Sequence, residues 1–273
     1  FKNKSNKGGF KIMEKMKFMR ALWKKYPRKE AEGFDFIGLQ IGKLKDDINK
    51  VLIALDYDES LLEITREFKP DLIITHHPFI FGKRSKVLAS DQLKNNLVHE
   101  LEDNLNIPIV SLHTNFDAAE GGMNSSLANK LDLINVYRAK DFPMMRIGEL
   151  PVSMDIDVFV KYFMERANVS YSSLINEGKN TIKKIGFICG GGAGYYSVAQ
   201  NEGCDIYISG DCPHHVRRDI IRYKMNYLDV PHEIERLFVD VMKYAIAEID
   251  SKIEVLAIDH EKEPIIYTNS QDN

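Results

Sequence analysis

Eight histidines occur in this chain of 273 residues, and two pairs of them are adjacent, His76-His77 and His214-His215. Other donor side chains recur nearby: His113 with Asp117, Asp211 just before His215, and His232 with Glu235. His76, His77, Asp117, His232 and Glu235 together make three imidazoles and two carboxylates, with no thiolate. A nitrogen/oxygen set of this kind suits Zn²⁺, Fe²⁺ or Mn²⁺ better than copper–thiolate or iron–sulfur chemistry. Five donors exceed what one tetrahedral ion needs, and a carboxylate can bridge two ions. Two divalent ions per chain, about 3.5–4 Å apart, would then activate a shared water for hydrolysis. Each piece alone has a plainer reading. A histidine pair after a strand is usually a wet loop, and Asp117 could cap a turn. His232 and Glu235, three residues apart, could be a surface pair on one helical face. Their joint delivery is what argues for chemistry.

The elements that must position these donors follow from apolar runs and breakers. Val51–Leu55, Leu72–Thr75 and Ile107–Leu112 read as strands, with helices over about 59–68 and 91–105 between them. The second half repeats the syntax: strand Lys184–Ile188, glycine loop Cys189–Gly194, helix Tyr195–Glu202 and strand Asp205–Ser209. Asp71–Pro78 (DLIITHHP) and Asp205–His215 (DIYISGDCPHH) are both aspartate-led strands ending in a histidine pair beside proline. The fold expected is α/β, two related halves with mostly parallel sheets and the site in the cleft between them. His76-His77, His113 with Asp117, Asp211 with His215, and His232 with Glu235 then all follow strands. They would share the carboxyl edge, where open α/β sheets bind ligands. The boundaries expected are a flexible leader over 1–9, a first domain over 10–118 and a second over 119–234. Residues 235–273 would form a helix and strand returning to the first domain. His113–Gly122 reads as a loop, and residues 135–180 as less regular apart from a helix over Asp157–Ala167.

Composition narrows the class. Hydrophobic residues at 44% and charged residues at 28% exclude disordered and collagen-like chains. No apolar run approaches the roughly 20 residues a membrane span needs, so a cytoplasmic protein without a membrane partner is the default expectation. Cys189, Cys204 and Cys212 lack CxxC spacing, which argues against a cysteine zinc site or a disulfide framework. Residues 1–29 carry eleven bases against one acid, so the remainder holds −13 of the net −3. Met13, Met16, Met19 and Leu22 at helical spacing favour an amphipathic helix with a lysine-rich wet face over a nucleic-acid arm. The glycine run Gly190–Gly194 lacks a P-loop's GK[ST], and close backbone packing is preferred over a phosphate cradle.

Five segments resemble the GTP cyclohydrolase I type 2 homologue family, also called the Ngg-interacting-factor-3-like proteins. They are EGFDFIGLQIG (32–42), DLIITHHPFIF (71–81), LHTNFDAAEGGMNSSLA (112–128), CGGGAGYYSVAQNEGCDIYISGD (189–211) and DVPHEIERLFV (229–239). The short middle segment resembles members without the extra inserted domain. The resemblance implies a dinuclear centre: His76 and His232 on one ion, His77 and Asp117 on the other, and Glu235 bridging. It also implies a homohexamer. The expected activity is hydrolysis of a small nucleotide-like substrate, with guanine ring opening as the form the family name suggests. A phosphoesterase and a non-catalytic regulatory hexamer are the alternatives. Glu235, His113 and His215 are the candidates for catalytic groups, and Asp35, Asp56 and His113 for groups that orient ligands or move protons. His99 and His260 lie outside every cluster in the sequence. The chain departs from the family pattern at Phe34-Asp35-Phe36, Pro213-His214 and Pro231, and none of these removes a ligand.

Overall fold

The computed structural model describes residues 13–268; the leader expected over 1–9 lies outside them. Helix α1 (Lys15–Lys25) buries Phe18, Met19 and Leu22. Met16, expected on that face, is exposed, because Phe18 sets the phase of the apolar stripe. Next come β1 (Gly38–Ile41), β2 (Lys50–Ala54), α2 (Leu62–Phe68) and β3 (Leu72–Thr75). Helices α3 (Arg84–Ser90) and α4 (Gln92–His99) follow, and α4 runs on as a π-helical stretch, Glu100–Leu105. Strand β4 (Ile109–Ser111) leads into α5 (Thr114–Ala118) and α6 (Met123–Lys130). The segment expected as a loop after His113 therefore contains a short helix, and Asp117 rides on it.

The second part contains β5 (Ile134–Arg138), β6 (Arg146–Asp155), α7 (Ile156–Ala167), β7 (Ser173–Ile175) and β8 (Thr181–Gly191). It continues with α8 (Tyr196–Asn201), β9 (Ile206–Gly210), α9 (His214–Arg222) and β10 (Asn226–Asp229). A 3₁₀ turn, His232–Arg236, then precedes α10 (Leu237–Ile249) and β11 (Glu254–Ile258). Residues 135–180 are thus more regular than they read. A register shift between Glu149 and Met154, spanning Pro151, breaks the alternation by which β6 would have been recognised.

Two mixed sheets result, ordered β1-β4-β3-β2-β11 and β5-β6-β8-β9-β10-β7. The first is parallel except for β1. The second departs from the mostly parallel expectation: β8, β9 and β10 are parallel, while β5, β6 and β7 pair antiparallel. The connection over residues 139–145 is too short for the crossover that a parallel β5–β6 pairing would need. The first sheet keeps four consecutive parallel strands and the second keeps three, and those carry the site.

Alternation along these strands explains why they read as unbroken apolar runs. Val51 and Ile53 join the large core shared with Ile185, Phe187, Ile208 and α10, while Leu52 and Ala54 face a second core with α2 and α4. Strand β11 pairs with β2 in parallel, and α10 packs in the large core beside Phe116 and Phe187. This seats the start of α10, and with it Glu235, against the ends of β3 and β4.

Candidate metal centre

His76 and His77 leave the carboxyl end of β3. Their backbone amides donate to Leu55 O, which fixes the turn out of the strand. His76 is fully buried, packed against the rings of Phe116 and Phe238. Its Nδ1 lies 2.9 Å from the Leu112 carbonyl. A carbonyl can only accept, so Nδ1 carries the proton and Nε2 presents a lone pair. That Nε2 is 3.5 Å from Asp117 Oδ1 and 3.6 Å from Glu235 Oε2. Both His76 Nε2 and Asp117 Oδ1 are buried without any hydrogen-bond partner. An orphaned lone pair facing an orphaned carboxyl oxygen is costly unless a metal ion lies between them or, without one, the proton that burial holds on Asp117. Donors about 2.0–2.2 Å from one tetrahedral ion stand about 3.3–3.6 Å apart, which these separations match.

Glu235 is delivered by the 3₁₀ turn after β10 and is 3% exposed. Its Oε2 lies 2.8 Å from His77 Nε2 and 3.1 Å from His232 Nε2. The far nitrogens are held as well: His77 Nδ1 lies 2.6 Å from Asp56 Oδ2, and His232 Nδ1 lies 2.5 Å from Asp211 Oδ2. An imidazole between two carboxylates donates from both nitrogens, so each of these rings is an imidazolium in the metal-free protein. Burial opposes the His77 charge, but the hydrogen bonds to Asp56 and Glu235 outweigh it and raise its pKa to about 11. For His232 the hydrogen bond to Glu235 leads, burial opposes it, and the pKa rises to about 9. Burial takes His76 the other way, down to about 4. It also pushes Asp117 well above the carboxylate range, helped by the Glu235 charge. Burial opposes ionisation of Glu235 too, yet hydrogen bonds from the surrounding imidazoles hold its carboxyl well below that range.

The glycine run explains how Glu235 fits. Strand β8 continues through Cys189 and Gly190 to Gly191, where a loop was expected. A Cβ at Gly190 would overlap Glu235 Oε1 and lie 2.7 Å from its Cδ, and φ there is +70°. The run admits a carboxylate rather than cradling a phosphate. Asn124 ties the walls together: its amide donates to the Asp117 and Met144 carbonyls, and its Oδ1 accepts from the Cys189 amide. Buried Arg146 donates to the Ala118 carbonyl and to Ser125 Oγ, fixing the turn just after Asp117. Arg146 was not singled out in the sequence, since a buried polar network leaves no periodic trace.

His113 stands beside the pair, its ring centroid 5.2 Å from that of His76, and its Nδ1 lies 2.9 Å from Asp35 Oδ1. Burial opposes the charge on Asp35, but hydrogen bonds from His113 and Thr114 bring its pKa down to about 2. Three groups of donors converge within 4.8 Å and could hold metal ions: His76, Asp117 and Glu235; His77, His232 and Glu235; and His76, His77 and His113. The first two place His76 with Asp117 and His77 with His232, whereas the resemblance divides the same donors the other way. His215 is not drawn in. It is exposed on the first turn of α9, and no hydrogen bond or ion pair joins it to the cluster. His99 pairs with Asp103 on the surface. His260 is less remote than its position suggests. It contacts Asp58, and the neighbouring Glu261 is pushed up by burial and by the charge of Asp56.

The model of the Duf34/NIF3 (NGG1p interacting factor 3) family matches residues 13–264. The chain belongs to the Duf34/NIF3 family. Its relatives include a GTP cyclohydrolase 1 type 2 homolog of Clostridium perfringens, 29% identical over 86% of this chain and 92% of that one. Another, from Ureaplasma parvum, is 30% identical over 81% of this chain and 85% of its own. Among solved structures, a Staphylococcus aureus hypothetical protein superimposes with a TM-score of 0.83 at 23% identity, covering 94% of this chain and 100% of that one. A Bacillus cereus protein related to NIF3 gives 0.82 at 21% identity, covering 95% and 100%. These likenesses establish the NIF3 fold. Among the described residues, no helix is long and apolar enough to cross a membrane.

Proposed function

We propose that this NIF3 protein is a dinuclear-metal hydrolase acting on a small nucleotide-like molecule. The observation that carries this reading is the buried, unpartnered pair His76 Nε2 and Asp117 Oδ1, facing a carboxylate that also meets His77 and His232. Glu235 has the position of a bridge, with His76 and Asp117 on one side and His77 and His232 on the other. Two divalent ions, Zn²⁺, Fe²⁺ or Mn²⁺, would supply Lewis acidity and lower the pKa of a water from 15.7 toward about 7. The chain's own contribution is orientation and proton handling. Asp56 and Asp211 fix the two outer imidazoles by their Nδ1 atoms, as carboxylates behind ligating histidines do. His113, held by Asp35 at Nδ1, keeps Nε2 available to accept or return a proton at the reacting centre.

Ring opening of a purine-like heterocycle is favoured over phosphoester cleavage, because among the described residues no lysine or arginine lines the cavity beside His232. Assembly as a homohexamer, implied by the family resemblance, belongs to the same proposal, and analytical ultracentrifugation reads it. The decisive experiment loads the protein with Zn²⁺ or Mn²⁺, counts ions by elemental analysis and offers purine nucleosides and nucleotides. Formate release marks ring opening, and phosphate release marks phosphoester cleavage. Two ions per chain with neither product would leave a metal-binding, non-catalytic role.

A further inference from the structure

A cavity of about 460 Å³ opens beside His232, with Tyr171, Asp211, Cys212, Asp229 and Glu233 in its wall. Apart from His232, every charged residue lining it among the described residues is acidic. Arg217 on α9 and Arg236 on the 3₁₀ turn lie outside this wall and face carboxylates. Arg217 pairs with Asp229 at 3.5 Å, and Arg236 faces Asp259 and Glu263. Across the centre, Asp56 is half exposed behind His77, and Glu261 lies in its field. The field shows in the neighbours: Asp229 is raised by burial and by Asp211, and the Tyr171 hydroxyl by burial and by Glu233.

Metal ions do not cancel this charge. Two divalent ions would bring four positive charges. The carboxylates of Asp35, Asp56, Asp117, Asp211, Glu233, Glu235 and Glu261 bring seven negative ones. The glycine run offers no relief. The space over Gly190 is taken by Glu235, and the helix that follows the run has six residues. Phosphate recognition normally uses arginine, lysine or a run of free amides at a helix start. Among the described residues the wall of this cavity holds no arginine or lysine, and Arg217 just outside it faces Asp229.

We propose that the centre accepts an uncharged or cationic organic ligand, such as a purine nucleoside with a positively charged ring, and discriminates against phosphorylated forms. This rests on the hydrolase reading for its location and on the acidic wall for its selectivity. A cationic ring is also the better electrophile, since attack at the carbon between its nitrogens neutralises the charge.

The test is calorimetric titration of the full-length, metal-replete protein with 7-methylguanosine, guanosine and guanosine 5′-monophosphate. The expected order is 7-methylguanosine tightest and the monophosphate weakest, with a gap of about tenfold or more between them. Raising salt from about 20 mM to about 500 mM should shrink the gap, because the selectivity is electrostatic. Glu233→Lys, in the wall but without contact to a ligand imidazole, should narrow the gap at least about threefold with metal content unchanged. Monophosphate binding as tight as guanosine, or no binding of any probe, overturns the proposal. Elemental analysis of the same samples keeps the two ideas apart. A protein that holds no metal refutes the hydrolase reading, while the ranking of the three probes still reports on the acidic wall.

Discussion

Gly190→Ala tests whether the glycine run exists to admit Glu235. An added Cβ would sit 2.7 Å from Glu235 Cδ, where carbon atoms normally keep about 3.5–4.0 Å, so one side must retreat by about 1 Å. Glu235 Oε2 lies 2.8 Å from His77 Nε2 and 3.1 Å from His232 Nε2, and neither contact survives a retreat of that size. The left-handed φ of +70° adds about 1–2 kcal/mol for any residue with a Cβ. Losing at least one charge-assisted hydrogen bond adds about 1.5–3 kcal/mol. The metal-free variant should therefore be destabilised by about 3–5 kcal/mol, a fall in Tm of about 6–15 °C. If Glu235 bridges two ions as proposed, zinc affinity should drop at least about tenfold to a hundredfold, since its oxygen is displaced. Gly194→Ala is the matched control: nothing lies within 4 Å of its Cβ, and it should behave as wild type. Differential scanning calorimetry without metal and competitive zinc titration read the two effects. A Gly190→Ala protein that binds two ions with wild-type affinity would falsify the assignment of Glu235 as the shared ligand.

Other outcomes follow from the same geometry. With the His77 pKa raised to about 11 and that of His232 to about 9, both rings are charged at pH 7 and must lose Nε2 protons to bind metal. Binding should release at least about two protons per chain near pH 7, with a further contribution from Asp117, whose pKa burial raises, and should weaken as pH falls, read from calorimetry in buffers of different ionisation enthalpy. The sign reverses for the metal-free protein. Raised histidine pKa values contribute stability fully below about 6.5. That contribution is lost as pH rises through about 9 and then about 11, so its urea midpoint should fall over that window. Asn124→Ala removes the link between Asp117 O and the Cys189 amide and leaves buried partners unsatisfied. It should cost about 2–4 kcal/mol and weaken metal binding, with partial recovery in Asn124→Asp; unchanged zinc affinity would deny it a positioning role. His215→Ala should leave metal content and affinity unaltered, and loss of an ion on elemental analysis would bring His215 back into the site.

The donor types and their places after strands were legible because chemistry-bearing residues are rare and apolar runs mark what precedes them. DLIITHHP and DVPHEIE placed four of the five donors without any coordinates. The helix under Asp117 was hidden because Thr114–Ala118 is a single buried turn, too short for a periodic face. β6 was hidden because its register shifts around Pro151. His215 stands apart from the cluster for a different reason. Likeness between DLIITHHP and DIYISGDCPHH concerns the strand and its end, but α9 begins at His214 and turns the second histidine pair outward. His260 was overlooked because the segment after β11 approaches Asp58 from more than 200 residues away in sequence.

By itself, then, the sequence determined the chemical nature of the site: imidazole and carboxylate, no thiolate, on the carboxyl ends of α/β strands. Which donors share which neighbour was decided only in three dimensions. The pairing of β11 with β2 and the packing of α10 bring Glu235 between histidines 158 and 3 residues away in the chain. The acidity of the cavity beside His232 is likewise a tertiary property. It arises where Asp211, Asp229 and Glu233 meet around one cavity while the nearby arginines are drawn off into ion pairs. Net charge and local pattern record residue types along a line, whereas the field at a site depends on which charges face it and which are already neutralised.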